Sequence, residues 1–440
     1  MVTETATSRD AADSAMKPLT MVEKILARGS GSGEISPGNS VVVDIDLVFG
    51  HEGSGPRRWQ PILDQLSREV WDPSKVAVVV DHYTPATTVK SAEFIQQAKD
   101  FAKRHAIAHF VDSLGISHIV LAERGVLQPG MIVAGGDSHT TMGGAFGTYS
   151  AGYGLTDMGA MVATGKTWVQ VPKTLRIDCE GDFGEGVTAK DLMLRLCRDL
   201  GMENTFCVAE FAGSAIAAMP MWERMVLCNM AAELGCDSGM VAPDQVTFDF
   251  LREVGAPVDD EASAASLASD PDAQFVKTYR IDVSTLAPQI AAPHSPENSG
   301  DASDYSGTAI DQAYIGACVG AKLDDLHRVA RVLKGRQVAS GVKLLIAPAS
   351  TSITQAATRD GTLDTLLTAG AILLPTGCGA CAGLGAGVLA PGQTCISSTN
   401  RNFKGRMGSS ESQVYLGSPY SVAAAAVAGH IVDPRELLGA

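Results

Sequence analysis

The sequence predicts an α/β fold built as three domains with mostly parallel sheets. Three observations carry that prediction. Short apolar runs (VAVVV, HIVLA, MIVAG, KLLIAP, AILLP and TCISS) alternate with helical patterns, as βαβ units require. Gly accounts for 46 of the 440 residues while aromatics make up 5%, which suits layers in close backbone approach rather than a Trp- and Tyr-rich binding face. Five strand-type runs are followed at once by polar or cysteine residues, at the place where open α/β sheets bind ligands.

Taken in order, residues 1–20 are polar with acids interspersed and read as a disordered tail, neither a signal nor a transit peptide. The first domain, 21–172, opens with a helix-like LTMVEKILARGSG and the run SVVVDIDLVFG. VAVVV, Val76 to Val80, is short, continuous and β-branched, which predicts a strand buried on both faces. A helix follows from about Ser91, with Phe94, Ala98, Phe101 and Ala102 on one stripe. HIVLA and MIVAG read as further strands. Composition changes near Lys173, where a second domain, 173–285, is expected. From Asp259 to about Asp311 the chain is rich in Asp, Ser, Ala and Pro, the composition of solvated loops or a linker. The third domain, 286–440, ends in a small-residue helix, PYSVAAAAVAGHI.

Charge and cysteine usage narrow the function classes. With 34 Lys and Arg against 49 Asp and Glu, the net charge is −15, which repels nucleic acid and anionic membranes. Small acidic substrates remain possible if cations gather locally. No apolar run approaches a membrane span. Nine cysteines form an odd set without the density of a disulfide scaffold, and most lie in apolar runs, so a reducing cytoplasm is expected.

At the strand ends, VAVVV runs into Asp81 and His82, and MIVAGG into Asp137, Ser138 and His139. AYIG leads to Cys318, AILLPTG to Cys378, and TCISST to Asn400 and Arg401. Cys378 and Cys381 form a Cys-x-x-Cys among glycines and alanines in GCGACAG. A redox pair is expected near the start of a βαβ domain, whereas this one lies late in the chain. A structural zinc site needs four ligands, and only one close pair is present. A cluster held by three cysteines needs a close pair and an outlier, and Cys318 is such an outlier. On the residues alone, a cluster ranks slightly ahead of zinc and both ahead of a redox couple, and all three stay open. WERMVLCNMAAELG reads as a helix carrying Asn229 and Glu233 four residues apart, hence on one face, with Trp222 and Val226 extending that stripe. Arg401 and Arg406 offer forked donors suited to carboxylates.

The chain resembles the large subunits of the aconitase superfamily, especially the isopropylmalate, homoaconitate and dimethylmalate hydro-lyases. The resemblance rests on DHYTP (81–85), GISHIVLAERGVLQPG (115–130), GGDSHTTMGGAFG (135–147), LCNMAAELGCDSGMVAPD (227–244), GACVGAKLDDL (316–326), GCGACAG (377–383) and SSTNRNFKGRMGS (397–409). It implies three α/β domains packed around a central cleft holding a [4Fe–4S] cluster, with Cys318, Cys378 and Cys381 as ligands and one iron without a protein ligand. It further implies that Asp81, His82, His118, Asp137, His139 and Glu233 serve catalysis, and that Ser138, Asn229, Asn400, Arg401 and Arg406 serve substrate binding. The other histidines, His105, His109, His294, His327 and His430, are read as structural, and His51 as a weaker candidate for substrate contact.

Two features depart from the family pattern. Val319-Gly320 follows the first cluster cysteine where the family usually has Thr-Asn or similar, so hydrogen bonding near that thiol is expected to differ. No swivelling domain follows the third domain, which implies a separate small subunit in a heterodimer or heterotetramer, carrying the proton-abstracting serine. The implied activity is dehydration and rehydration of a hydroxy di- or tricarboxylic acid in amino-acid biosynthesis. A zinc-dependent hydrolase and an RNA-binding iron sensor are the rival readings, the latter opposed by the charge.

Overall fold

The computed structural model describes residues 17–32 and 35–439. Most of the expected tail, 1–16, lies outside the described residues; Thr20 already caps the first helix, Met21–Ser30, in a reciprocal bond with Glu23. None of the described helices is long and apolar enough to cross a membrane.

Three sheets dominate. The first is wholly parallel and five-stranded, in the order His109–Asp112, Val76–Val80, Leu47–His51, Ile132–Gly135, Tyr149–Gly152. Every residue of Val76–Val80 is buried, as a strand with layers on both faces must be. Trp59, Phe101, Met158 and Met161, from three flanking helices, pack on one side of it. The second sheet, also parallel, runs Ser238–Val241, Cys207–Ala212, Lys173–Glu180, Lys277–Asp282. The third has seven strands, ordered Ser299–Asp301, Gln289–Ala291, Gln413–Gly417, Thr394–Ser397, Gln312–Ile315, Lys343–Ile346, Ile372–Leu373; its first two pairings are antiparallel and the rest parallel.

Several expectations are corrected. HIVLA is not a strand but part of a buried helix, Ser117–Glu123. A short run buried on all sides carries no periodicity to separate the two states, and here the Asp81 carboxylate accepts the Ser117 N–H at the helix start. SVVVDIDLVFG splits into Ser40–Asp44, paired antiparallel with Lys166–Gln170, and Leu47–His51 in the first sheet. The Asp- and Ser-rich segment after Asp259 is not simply a linker, because it supplies Lys277–Asp282 to the second sheet, and to the third the edge strand Ser299–Asp301 and its neighbour Gln289–Ala291. AILLP contributes only two paired residues, Ile372–Leu373.

Two adjacencies position the site. Gln312–Ile315 and Thr394–Ser397 are neighbours in the third sheet, so the loops after them bring Cys318 beside Asn400. Val76–Val80 and Ile132–Gly135 flank Leu47–His51 in the first sheet, so Asp81, Asp137 and His51 leave the same edge.

Candidate active site

At the end of Val76–Val80, one carboxylate orders the turn. Glu52 is fully buried and accepts the backbone N–H groups of Asp81 (3.1 Å), His82 (2.8 Å) and Tyr83 (2.5 Å). Asp81, also fully buried, takes the Ser117 N–H on Oδ2 at 2.7 Å and meets His82 Nδ1 with Oδ1 at 2.6 Å. That bond fixes the imidazole and directs Nε2 towards Asp137 Oδ2, 3.7 Å away. The His51 ring stacks on His82 at a centroid distance of 3.6 Å, and its Nδ1 accepts the Gly53 N–H. Burial, aided by His82, pulls the His51 pKa down to about 3, so His51 is neutral. Burial also disfavours a charged His82, but Cys378 and Asp81 together outweigh it and hold its pKa well above the ordinary histidine value.

Asp137 is the hub. It caps the 3-10 segment Ser138–Phe146 through the His139 N–H at 2.7 Å. The same Oδ1 lies 3.1 Å from His118 Nε2 and 3.4 Å from His139 Nδ1. With His82, three imidazoles therefore face one carboxylate. Burial pushes the Asp137 carboxyl up, yet the bonds from His118 and His139 hold it well below the usual carboxylate range. On its far side His139 Nε2 lies 3.0 Å from Glu233 Oε1, which also accepts from Arg401 Nε at 2.6 Å. Arg401 Nη1 reaches Ser138 Oγ at 2.9 Å, where the site opens to solvent.

The thiols lie alongside. Cys318 follows Gln312–Ile315, and its Sγ receives the Asn229 amide at 3.1 Å and sits 3.7 Å from Asn400 Nδ2. The two amides bond each other through Asn400 Nδ2 and Asn229 Oδ1. The Cys378 N–H donates to Asp81 O at 2.9 Å, which ties the Cys-x-x-Cys loop to the His82 strand end. Gly377 there has φ +141°, and a Cβ on it would lie 2.8 Å from Asp81 O. At the Val319-Gly320 departure, Ser398 packs against the backbone. Ser398 Oγ accepts the Gly316 N–H at 3.0 Å and lies within donating distance of the carbonyls of Gly316 and Gly320. Gly320 is pressed so tightly on Ser398 that no side chain fits there.

All fourteen residues singled out from the sequence lie in this region, with differences in detail. Asn229 is the penultimate residue of the helix Met221–Met230, so Glu233 sits on the following turn rather than the same helical face, though both are fully buried. Arg406 touches none of the carboxylates described; it lies near Cys381, whose thiol pKa it lowers against the larger upward push of burial. Two of the histidines read as structural are engaged elsewhere, His105 with Gln60 and Glu69, and His327 with Asp360. Sequence reasoning missed Glu52, Lys190, Tyr314 and Ser398. For Lys190 a signal existed, a cation within the apolar pattern of AKDLMLRL.

The donor set fits a cluster better than a single ion. Four thiolates around one zinc lie ~3.8 Å apart, given Zn–S bonds of about 2.3 Å. Among the described residues, the groups whose ligand atoms converge within 4.8 Å are His51, Glu52, Asp81, His82 and His118, Asp137, His139, and the three cysteines form no such group. They are nonetheless neighbours, Cys378 and Cys381 both raising the thiol pKa of Cys318 after the larger effect of burial. Buried polar atoms without a hydrogen-bond partner among the described residues include Tyr314 Oη, Arg406 Nε, His118 Nδ1 and Glu233 Oε2. Their concentration here is what a site shaped for an additional group leaves.

The sequence model of the Aconitase family (aconitate hydratase) matches residues 23–306 and 298–429. The chain is 41% identical to 3-isopropylmalate dehydratase large subunit 1 of Methanopyrus kandleri, over 95% of this chain and 99% of that protein. It is 42% identical to the methanogen homoaconitase large subunit of Methanocaldococcus jannaschii, over 94% and 99% respectively. A 3-isopropylmalate dehydratase large subunit of Heliobacterium modesticaldum is 38% identical over 95% of this chain and 99% of its own. The chain belongs to the aconitase family of hydro-lyases.

Proposed function

We propose that this chain is the large subunit of a hydro-lyase that dehydrates and rehydrates a hydroxy di- or tricarboxylic acid, of the 3-isopropylmalate dehydratase or homoaconitase kind, with 2,3-dimethylmalate as a further candidate substrate. Family membership implies an iron–sulfur cluster. We assign it as a [4Fe–4S] cluster on Cys318, Cys378 and Cys381, with one iron lacking a protein ligand. The observation that carries the reading is the Asp137 carboxylate shared by three imidazoles, next to those three thiols and Arg401. When bound, such a cluster supplies a Lewis acid that makes hydroxide a feasible leaving group.

The chain's own residues handle protons and carboxylates. His82, held through Nδ1 by Asp81, offers Nε2 as the general acid for the departing oxygen. Asp137 keeps His118 and His139 aligned, and His139 passes the constraint to Glu233. Arg401, braced by Glu233 and Ser138, has its remaining donors for a substrate carboxylate, and Arg406 serves a second. Asn229 and Asn400 steady Cys318 and border the substrate.

The sheets support a division into domains at 21–172, 173–285 and 286–440. Relatives named as large subunits support a small-subunit partner, which we take to be a swivelling domain bearing the proton-abstracting serine. Anaerobically prepared protein should hold about four iron and about four acid-labile sulfide per chain. It should turn over one of the three candidate acids only with the small subunit added. Metal without sulfide would overturn the cluster assignment, and full turnover by this chain alone would overturn the partner.

A further inference from the structure

Lys190 is 1% exposed, on the first turn of the helix Ala189–Leu200, and its Nζ donates to the carbonyl of Thr399 at 2.5 Å. Thr399 precedes Asn400 and Arg401, so the ammonium clips the loop that carries both. Its surroundings are unusual in what they omit: no carboxylate lies within ion-pair distance of Lys190 among the described residues. A second buried lysine makes the contrast. Lys322, also 1% exposed, donates to the carbonyl of Val319, next to Cys318, and is neutralised by Asp325 at 2.7 Å. Both lysines thus hold a loop beside the cluster cysteines, but only Lys322 brings its counter-charge with it.

An unpaired buried ammonium is costly to desolvate, and a helix N-terminus, positive itself, makes the position worse. Such a group persists where a negative charge sits close by in the working protein. We propose that Lys190 is a positioning residue that supplies the counter-charge for the three-thiolate iron–sulfur cluster while holding the Asn400–Arg401 loop against it. The inference rests on the cluster reading above. Three thiolates outweigh the positive charge of the cube they hold, so the loaded site is anionic and the ammonium completes it. The Lys190 pKa fits this: burial brings it down to about 8, opposed first by Glu233 and then by the nearby Cys197, Cys381 and Cys318.

The test compares anaerobically reconstituted wild type with Lys190→Met, which removes charge and donor, Lys190→Gln, which keeps a donor, and the double variant Lys322→Met/Asp325→Asn, which removes a neutral pair, as the control. Removing a nearby positive charge disfavours the reduced cluster, so both Lys190 variants should titrate at more negative midpoints by EPR, with the double variant, which changes no net charge, much closer to wild type. Both should also lose iron to a chelator about tenfold faster or more. Cluster-free Lys190→Met should be at least as stable as cluster-free wild type, since it sheds an unpaired charge. Wild-type midpoints in both Lys190 variants would overturn the inference, as would a cluster-free Lys190→Met and Lys190→Gln that fail to fold. Wild-type protein that takes up no cluster would overturn the underlying assignment instead, and this inference with it.

Discussion

Glu233→Gln probes one of the fully buried charges in the site. Glu233 is fully buried, and a single oxygen accepts from Arg401 Nε at 2.6 Å and faces His139 Nε2 at 3.0 Å. Burial pushes its carboxyl up, but His139 and then Arg401 prevail and hold it below the ordinary range. In return Glu233 lifts His139 above its ordinary value against the lowering effect of burial. Gln keeps the shape and one acceptor but leaves two cationic groups in a site largely closed to water. Removing one side of a buried pair costs about 3–5 kcal/mol. With one acceptor retained we expect about 3 kcal/mol, on the order of a hundredfold in the folding constant. The pH dependence is specific. A depressed carboxyl contributes stability above its unfolded value of 4.5, lost as pH falls through the folded value. A raised histidine contributes below its unfolded value of 6.5, lost as pH rises through the folded value. Both describe one interaction, so the gap between wild type and variant should be widest from pH 4.5 to 6.5 and narrow on either side. Urea denaturation of cluster-free protein from about pH 4 to 9 measures it. A gap below about 1 kcal/mol, or one indifferent to pH, would refute the reasoning.

Three further outcomes are expected. Asp81→Asn, which removes the carboxylate from His82 Nδ1, should lower kcat by about 10²- to 10⁴-fold with a smaller change in KM, in steady-state assays with the small subunit present. Asn229→Ala strips the 3.1 Å amide from Cys318 Sγ and should speed loss of the visible cluster absorbance under chelator by about 10- to 100-fold. Gly320→Ala places a methyl 2.2 Å from Ser398 Oγ and 2.8 Å from its carbonyl oxygen. It should destabilise the cluster-free chain by about 1–3 kcal/mol in the same denaturation assay.

Where residues report on their own neighbourhood, the sequence was a good guide. VAVVV reads as a doubly covered strand because a parallel strand with layers on both faces tolerates no polar alternation. Asp81, Asp137, Cys318 and Asn400 stand out because each follows such a strand directly, and the fold gathers those ends. HIVLA was misread because five apolar residues fit a strand or a buried helix equally well until Asp81 is seen capping Ser117. Glu233 was placed on the wrong geometry for a similar reason, since nothing local in NMAAELG marks the helix end at Met230.

Composition and strand-end motifs were enough to predict α/β layers with mostly parallel sheets and to mark out Asp81, His82, Asp137, His139, Cys318, Cys378, Asn400 and Arg401, while the family resemblance added His118, Asn229 and Glu233. They could not say which carboxylate serves which imidazole, that Glu52 organises the His82 turn, that Ser398 fills the space beside Gly320, or that Lys190 lies unpaired beneath Thr399. Those facts depend on atoms brought together from positions as far as 209 residues apart along the chain. Only packing decides such pairings, because the energy of a buried charge is set by what surrounds it and not by what precedes it in the chain.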